Sequence, residues 1–176
     1  MTFFLLIKLK FLLKCFTFYI YGDVMNFMDL ALEEAQKAYD LGEVPVGVVI
    51  VKDGEVIARA YNMKEYKKIS TAHAEMLAIE EASKVIGDWR LNGCDMYVTL
   101  EPCAMCAAAI AHSRISNLYI GTFNLDMGAC GTVINLLDYD IFNSRVNTKW
   151  CYDKRCSDIL ISFFNIQRKN KKVERS

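Results

Sequence analysis

A run of branched apolar residues at positions 44–51 limits the folds that are open to this sequence. The run reads Val-Pro-Val-Gly-Val-Val-Ile-Val, which is typical of a strand buried on both faces. Asp53-Gly54 predicts a tight hairpin turn, and residues 55–61 predict a second strand that returns beside the first. A sheet built on such a strand must be covered by other elements, so we expect a layered α/β fold.

Helical and strand patterns alternate along the rest of the chain. Residues 28–41 form an amphipathic pattern that ends at Gly42, and Thr71 is a plausible N-cap for a helix over residues 72–86. Pro102 suits the first position of a further helix. Further strands are predicted at residues 94–100 and 115–120, and a last helix at 159–166 with a basic tail. This order predicts three α/β/α layers around a central, mostly buried sheet.

Residues 1–24 differ from the remainder of the sequence. Residues 1–21 are nearly all Phe, Leu, Ile, Tyr and Lys, and Lys8, Lys10 and Lys14 interrupt the apolar run. A membrane-spanning helix requires about 20 predominantly apolar residues, and a secretory signal places its charges before the apolar run. We therefore expect an N-terminal extension outside the fold, with Met25 as the functional start and one domain over residues 25–176. Peripheral membrane contact by residues 1–24 is the alternative.

Composition narrows the class of protein. Apolar residues make up 53% of the chain and charged residues 24%, which excludes a disordered protein. The net charge is zero, so composition alone does not favour a nucleic-acid partner, although a local basic patch would be sufficient to bind one. The seven cysteines follow no regular framework, which indicates a reducing, cytoplasmic location. We expect four of them to be small buried side chains: Cys94, Cys130, Cys151 and Cys156.

Two short segments carry metal-binding side chains at predicted helix starts. Cys103 and Cys106 are three residues apart, so one helix face presents both sulfurs, and the helix N-terminus favours their thiolate forms. His73 supplies a third, neutral ligand. Glu75 lies about 200° around an ideal helix from His73, which suits a carboxylate near the metal better than a fourth ligand. The sequence thus predicts a Zn²⁺ site with three protein ligands.

Three ligands leave one zinc position open, which is typical of catalytic sites. Zinc can lower the pKa of water to about 7, and Glu75 can move protons as a general acid and base. This combination predicts hydrolytic deamination. A structural zinc site or a plain buried cysteine pair would explain Cys103 and Cys106 alone, but not the additional His73 and Glu75 at a second helix start.

These residues resemble the cytidine deaminase superfamily, which has the same His-x-Glu and Pro-Cys-x-x-Cys signature. Within it, the chain is similar to the bacterial deaminases that act on adenosine in tRNA. The similarity extends from about residue 28 to residue 168 and includes segments 42–47, 71–76, 97–103 and 128–132 and the Phe163-Phe164 pair. The resemblance implies a five-stranded mixed sheet, one Zn²⁺ per subunit and a homodimer. It also implies that a flipped adenosine of the tRNA anticodon loop becomes inosine at the wobble position.

The resemblance also assigns contacts to the substrate. Asn62 matches the position whose amide contacts the target base, although an ordinary turn Asn would occupy the same place. Asn124, Asn143 and Arg168 are further candidates for contacts with tRNA. Asn124 stands where relatives usually carry Asp, and Ile69-Ser70, Ala108 and Ser144 are other departures from the family pattern. None of these departures changes the three predicted zinc ligands.

Two other functions fit parts of the same pattern. The first is deamination of a free base or nucleotide, of the guanine or cytosine type. The second is a non-catalytic, zinc-stabilised module that binds RNA. Glu75 argues against the binding module, because a structural zinc site does not require an acid/base group.

Overall fold

A five-stranded mixed sheet forms the centre of the fold. The computed structural model describes residues 26–139, 142 and 145–173. The strands lie in the order β2-β1-β3-β4-β5. β1 pairs antiparallel with β2 and β3, whereas β3, β4 and β5 run parallel. Their bounds are β1 Gly47–Lys52, β2 Glu55–Tyr61, β3 Cys94–Leu100, β4 Asn117–Thr122 and β5 Asn147–Trp150. The expected five-stranded mixed sheet is confirmed.

Five α-helices accompany the sheet in the described residues. They are α1 Phe27–Asp40, α2 Lys64–Lys67, α3 Ala74–Ile86, α4 Ala104–His112 and α5 Lys154–Val173. A short 3₁₀ turn spans Leu136–Asp138. α3 and α4 share one core cluster with the sheet, and α1 and α5 share the cluster on its other face. The fold therefore has the three α/β/α layers that the sequence predicts.

The side chains of β1 alternate between these two cores. Val48 and Ile50 pack on the face with α3 and α4, whereas Val49 and Val51 pack against Met28 of α1. All four β1 side chains are at most 3% exposed. Because successive residues of a strand point to opposite faces, only an uninterrupted apolar run can fill both cores. This is why the run at positions 44–51 identifies an interior strand of the sheet.

The predicted hairpin between β1 and β2 is also confirmed. Asp53 and Gly54 have positive φ angles of 52° and 80°. Positive φ at both central residues defines the turn type whose twist matches that of the flanking strands. A two-residue loop therefore joins the strands.

Several boundaries differ from those predicted. β1 begins at Gly47 instead of residue 44, because Pro45 has no N–H and the Val46 N–H bonds locally to the Val44 oxygen (2.8 Å). β4 runs two residues later than predicted, since its pairing with β3 begins at Asn117 opposite Asp95. α5 begins five residues earlier than predicted, at Lys154. The sequence pattern did not locate α2 or β5; β5 is an edge strand with polar, partly exposed side chains.

The cysteines of the described residues outside positions 103 and 106 are free thiols. Cys94, Cys130 and Cys156 are buried, as expected. The expectation for Cys151 was wrong, because this residue follows edge strand β5 and is exposed.

Gly47 provides a test of how closely α1 packs on the sheet. A Cβ at this position would overlap the backbone oxygen of Ala31 and the backbone nitrogen of Ala35. Backbone atoms cannot rotate away, so Gly47→Ala should lower the free energy of unfolding by about 3 kcal/mol or more. Thermal denaturation would measure this as a fall in Tm of at least roughly 6 °C.

Gly54→Ala is the matched control, because nothing lies within 4 Å of a Cβ built there. Its positive φ should cost only about 1–2 kcal/mol. Equal losses in the two variants would contradict the close contact between α1 and β1.

Candidate active site

The N-termini of α3 and α4 lie next to each other, and a candidate metal ligand immediately precedes each helix. His73 is the N-cap of α3 and Cys103 is the N-cap of α4, both with extended backbone (ψ 152° and 174°). Neither residue makes a side-chain capping hydrogen bond at the start of its helix. The helices therefore begin two residues later than predicted, because the ligands themselves occupy the caps. Thr71 is not an N-cap, and Pro102 is not the first helical residue.

The three candidate ligands have the spacing that zinc requires. His73 Nδ1 lies 3.8 Å from Cys103 Sγ and 3.6 Å from Cys106 Sγ. All three ligand atoms lie within 4.8 Å of one another. Tetrahedral zinc, with bonds of about 2.3 Å to sulfur and about 2.0 Å to nitrogen, separates such atoms by about 3.5 Å. A set of two sulfurs and one imidazole nitrogen thus fits zinc in both chemistry and distance.

The two sulfurs are close enough to share a proton. A hydrogen bond from Cys106 lowers the pKa of the Cys103 thiol to about 4. The same contact raises the pKa of Cys106, which keeps the proton. The hydrogen bond to Cys103 also raises the pKa of His73. A divalent cation bound by the two sulfurs and the imidazole would take the place of this shared proton, because metal ligands must be deprotonated.

Glu75 lies in the first turn of α3 beside the ligands and is only 4% exposed. Burial is the main cause that raises the pKa of this carboxyl. A carboxyl group shielded from solvent holds its proton more readily, which suits a group that must both accept and donate one. Because His73 precedes the helix, the angle of about 200° predicted between His73 and Glu75 on one helix does not describe their arrangement.

A cavity of about 150 Å³ opens beside the ligands. Typical ligand pockets measure about 300–1,000 Å³, so this one has room for a single base and not for a whole nucleotide. Its walls come from the loop after α1, from the segment after β2, from both helix N-termini and from the loop after β4. The lining residues are Val44, Val46, Asn62, Lys64, His73, Glu75, Leu100, Glu101, Cys103, Asn124 and Met127.

The predicted substrate residues occupy different places. Asn62 and Asn124 line the cavity. Arg168 lies on an exposed face of α5, where it donates to Asn165 Oδ1 (2.7 Å), and it is not a lining residue. Asn143 lies outside the described residues.

The side chain of Asn124 is engaged in its own loop. Its Oδ1 accepts hydrogen bonds from the backbone nitrogens of Asp126 (3.3 Å) and Met127 (3.1 Å). Its Nδ2 donates to the backbone oxygen of Glu101 (3.4 Å). An Asn in this role shapes the loop that forms one wall of the cavity.

Sequence reasoning missed the role of Glu101, whose carboxylate holds the loop over residues 124–132. Glu101 is 1% exposed, and its carboxylate accepts from the backbone nitrogens of Asn124 (3.1 Å), Cys130 (3.0 Å) and Thr132 (3.0 Å). A Cβ at Gly128 would overlap this carboxylate. The sequence did contain one signal for this role, which is the position of Glu101 between a buried strand and Pro102. A carboxylate buried at such a position needs hydrogen-bond donors from neighbouring segments.

Comparison with known proteins supports the metal site. Residues 23–122 match a family model described as the cytidine and deoxycytidylate deaminase zinc-binding region. This range contains His73, Glu75, Cys103 and Cys106. Zinc is therefore the resident metal of this fold.

Similar proteins cover most of the chain. A tRNA-specific adenosine deaminase of Bacillus subtilis (strain 168) is 46% identical over 150 residues, which are 85% of this chain and 93% of the relative. That of Aquifex aeolicus (strain VF5) is 44% identical over 82% of this chain and 95% of the relative.

Solved structures show the same relation. One from work on A-to-I editing by tRNA:A34 deaminases at the wobble position is 41% identical, with a TM-score of 0.74, over 76% of this chain and 98% of that chain. Guanine deaminase from Bacillus subtilis is 36% identical, with a TM-score of 0.55, over 59% of this chain and 67% of that chain. The chain thus belongs to the family of zinc-binding cytidine and deoxycytidylate deaminases, in the branch of the tRNA-specific adenosine deaminases.

Proposed function

We propose that this protein converts adenosine to inosine at the wobble position of a tRNA anticodon by zinc-dependent hydrolysis. The observation that carries the proposal is a three-ligand metal site that shares a base-sized cavity with the buried carboxyl of Glu75. The names of relatives at 46% and 44% identity support tRNA as the substrate.

His73, Cys103 and Cys106 would hold the zinc and leave one side of it open to the cavity. When bound, zinc supplies activation of a water molecule for attack on the base. The two sulfurs carry the negative charge that balances the metal, and His73 contributes none. The narrow cavity restricts access of other water molecules to the base.

Glu75 would move the protons of the reaction. Its carboxylate takes one proton from the attacking water and delivers it to a ring nitrogen of the base. It then takes the second proton and passes it to the departing amino group, so that adenosine and water give inosine and ammonia. Burial of Glu75 favours its protonated form by raising the pKa of its carboxyl, which assists donation to the leaving group.

Replacement of Glu75 should separate chemistry from metal binding. Glu75→Gln should lower kcat by about 10²- to 10⁴-fold, because general acid/base catalysis contributes that much. Zinc content should stay at the wild-type level. Cys106→Ala should instead lose the metal, together with activity. Metal analysis and single-substrate kinetics on the same samples measure both effects.

Glu81→Gln is the control, since Glu81 is an exposed acid on the same helix and lies outside the cavity. It should leave kcat and zinc content unchanged. Loss of zinc from Glu75→Gln to the same extent as from Cys106→Ala would contradict the assigned role of Glu75.

Substrate choice distinguishes this proposal from the other two functions. Guanine deaminase of Bacillus subtilis shares the fold at 36% identity, so a free base must be tested as well. We expect inosine from an anticodon stem-loop with adenosine at the wobble position, and no ammonia from free guanine, cytosine or adenosine. Mass spectrometry of the RNA and an ammonia assay measure the two outcomes.

Ammonia released from a free base, with no inosine in the stem-loop, would overturn the choice of tRNA. Binding of the stem-loop without any product would support the zinc-stabilised RNA-binding module instead. A stem-loop with guanosine at the wobble position controls for non-specific release of ammonia.

We further propose a homodimer and a cytoplasmic location, as the resemblance to tRNA-modifying enzymes implies. Within the described part of the chain, no helix is both long enough and apolar enough to cross a bilayer. The alternative of membrane contact by residues 1–24 concerns a segment outside the described residues.

We propose that the deaminase domain comprises residues 25–176. The family match begins at residue 23 and α1 begins at Phe27. A protein that starts at Met25 should bind zinc and deaminate the stem-loop within about twofold of the full chain, because the candidate ligands, the cavity and the five strands all lie after this residue. Kinetics, zinc analysis and light scattering of both forms would test the domain and the dimer together. Misfolding of the shorter form, or pelleting of the longer form alone with liposomes, would contradict the proposal.

A further inference from the structure

A buried carboxylate, Glu43, lies behind the side chain of Asn62 in the cavity wall. Glu43 is 1% exposed and Asn62 is 7% exposed. Asn62 Nδ2 donates a hydrogen bond to Glu43 Oε2 (3.1 Å). The mechanism proposed above uses neither the carboxylate of Glu43 nor its contact with Asn62.

The other oxygen of Glu43 is fixed by α2. Tyr66 lies in the first turn of this four-residue helix, and its backbone nitrogen donates to Glu43 Oε1 (2.6 Å). The first N–H groups of a helix have no partner within the helix, and the N-cap residue Met63 makes no side-chain bond to them. Glu43 therefore caps α2 from outside, which determines which of its oxygens faces Asn62.

The backbone of Glu43 is held as firmly as its side chain. Gly42 has a φ of +76° and ends α1, and the Glu43 nitrogen then donates to the Ala38 oxygen (2.9 Å). The Asn62 nitrogen donates to the Val46 oxygen (3.0 Å). Backbone hydrogen bonds therefore fix the positions of Glu43 and Asn62 independently of the contact between their side chains.

A carboxylate can only accept hydrogen bonds, whereas the Asn amide has an NH₂ group on one side and an oxygen on the other. The NH₂ group of Asn62 must therefore face Glu43, which leaves Oδ1 for a different partner. No donor to this oxygen occurs among the described residues, and Asn62 lines the cavity together with His73 and Glu75.

We infer that Glu43 is a positioning residue that holds the Asn62 amide so that Oδ1 accepts a hydrogen bond from the target nucleoside. This inference rests on the proposed function. The donors available on an adenosine within an RNA chain are the exocyclic amino group of the base and the 2′-hydroxyl of the ribose, because the 3′ and 5′ oxygens are esterified to phosphate. An amide turned the other way would direct an NH₂ group at these donors.

Glu43→Gln tests the orientation of the Asn62 amide, because Gln has the same shape as Glu. The Tyr66 N–H still requires an acceptor, so the amide oxygen of the introduced side chain must face Tyr66 and its NH₂ group must face Asn62. Two NH₂ groups cannot form a hydrogen bond with each other. The Asn62 amide must therefore rotate by about 180°, so that its oxygen faces residue 43 and its NH₂ group faces the cavity. We expect kcat/KM for the stem-loop to fall by about 10- to 100-fold, with zinc content unchanged.

The double variant Glu43→Gln with Asn62→Asp should restore activity. The introduced amide then donates to one oxygen of the introduced carboxylate, and the second carboxylate oxygen faces the cavity as an acceptor. The net charge of the pair equals that of the wild type. Asn62→Asp alone should be impaired, since it places two carboxylates about 3 Å apart, the separation of a hydrogen-bonded pair.

Glu34→Gln is the matched control for removing a buried glutamate. The Glu34 side chain is 3% exposed and bonds to Arg59 (2.7 Å) and Lys37 (2.8 Å), away from the cavity. This variant should lose stability and keep the kcat/KM of the folded protein. Thermal denaturation of all variants separates loss of stability from loss of orientation.

Recovery in the double variant, to within about tenfold of the wild type, would support the positioning role, because a merely structural role predicts additive losses. Wild-type kcat/KM in Glu43→Gln, or a double variant no better than Glu43→Gln, would overturn it. A wild-type protein that is inactive on the stem-loop would instead refute the proposed function.

A stem-loop with 2′-deoxyadenosine at the target position distinguishes the two donors. If Glu43→Gln lowers kcat/KM for this substrate as much as for the ribose form, the donor is the amino group. If Glu43→Gln no longer lowers kcat/KM, the donor is the 2′-hydroxyl.

Discussion

The site depends on the meeting of two helix N-termini at the end of the sheet. α3 and α4 approach the strands closely because their inward positions are alanines, including Ala74, Ala78, Ala107 and Ala111, all of which are buried. Close approach brings His73 to 3.6–3.8 Å from both sulfurs. Larger side chains at these positions would separate the helices from the sheet and the ligands from one another. The helix N-termini also place positive ends of peptide dipoles next to the sulfurs, which favours thiolates.

Two buried glutamates, Glu75 and Glu101, line the cavity, and a third, Glu43, lies behind Asn62 in its wall. Their hydrogen-bond partners give them different roles. Glu101 accepts three backbone N–H groups and orders the loop over the site. Glu43 accepts one backbone N–H and one amide NH₂ group, and thereby orients Asn62. Glu75 has the pKa of its carboxyl raised, with burial as the main cause. A buried glutamate is a fixed acceptor where backbone donors surround it, whereas burial that outweighs its donors raises the pKa of its carboxyl, which suits the proton transfer proposed for Glu75.

Most of the elements could be predicted from the sequence because their patterns are local. The alternating burial of β1, the Asp53-Gly54 turn and the Gly42 helix end each depend on a few neighbouring residues. β5 was expected only from the family resemblance, since an edge strand with polar side chains has no apolar pattern. The helices begin at Ala74 and Ala104, two residues later than the pattern predicts, because His73 and Cys103 occupy the N-cap positions without making side-chain capping hydrogen bonds.

The sequence by itself identified the candidate metal ligands, the candidate acid/base residue and the family, because His-x-Glu and Pro-Cys-x-x-Cys are short motifs whose chemistry depends on residue type and spacing. Only the tertiary structure decided how the surrounding residues are used. Asn62 and Asn124 look alike in sequence, yet one presents its oxygen to the cavity and the other closes its own loop. Glu43 and Glu101 acquire their roles from Asn62, Tyr66 and the 124–132 loop, which are distant in the chain. The physical reason is that a hydrogen bond depends on the position and direction of both partners, and folding brings those partners together from separate segments.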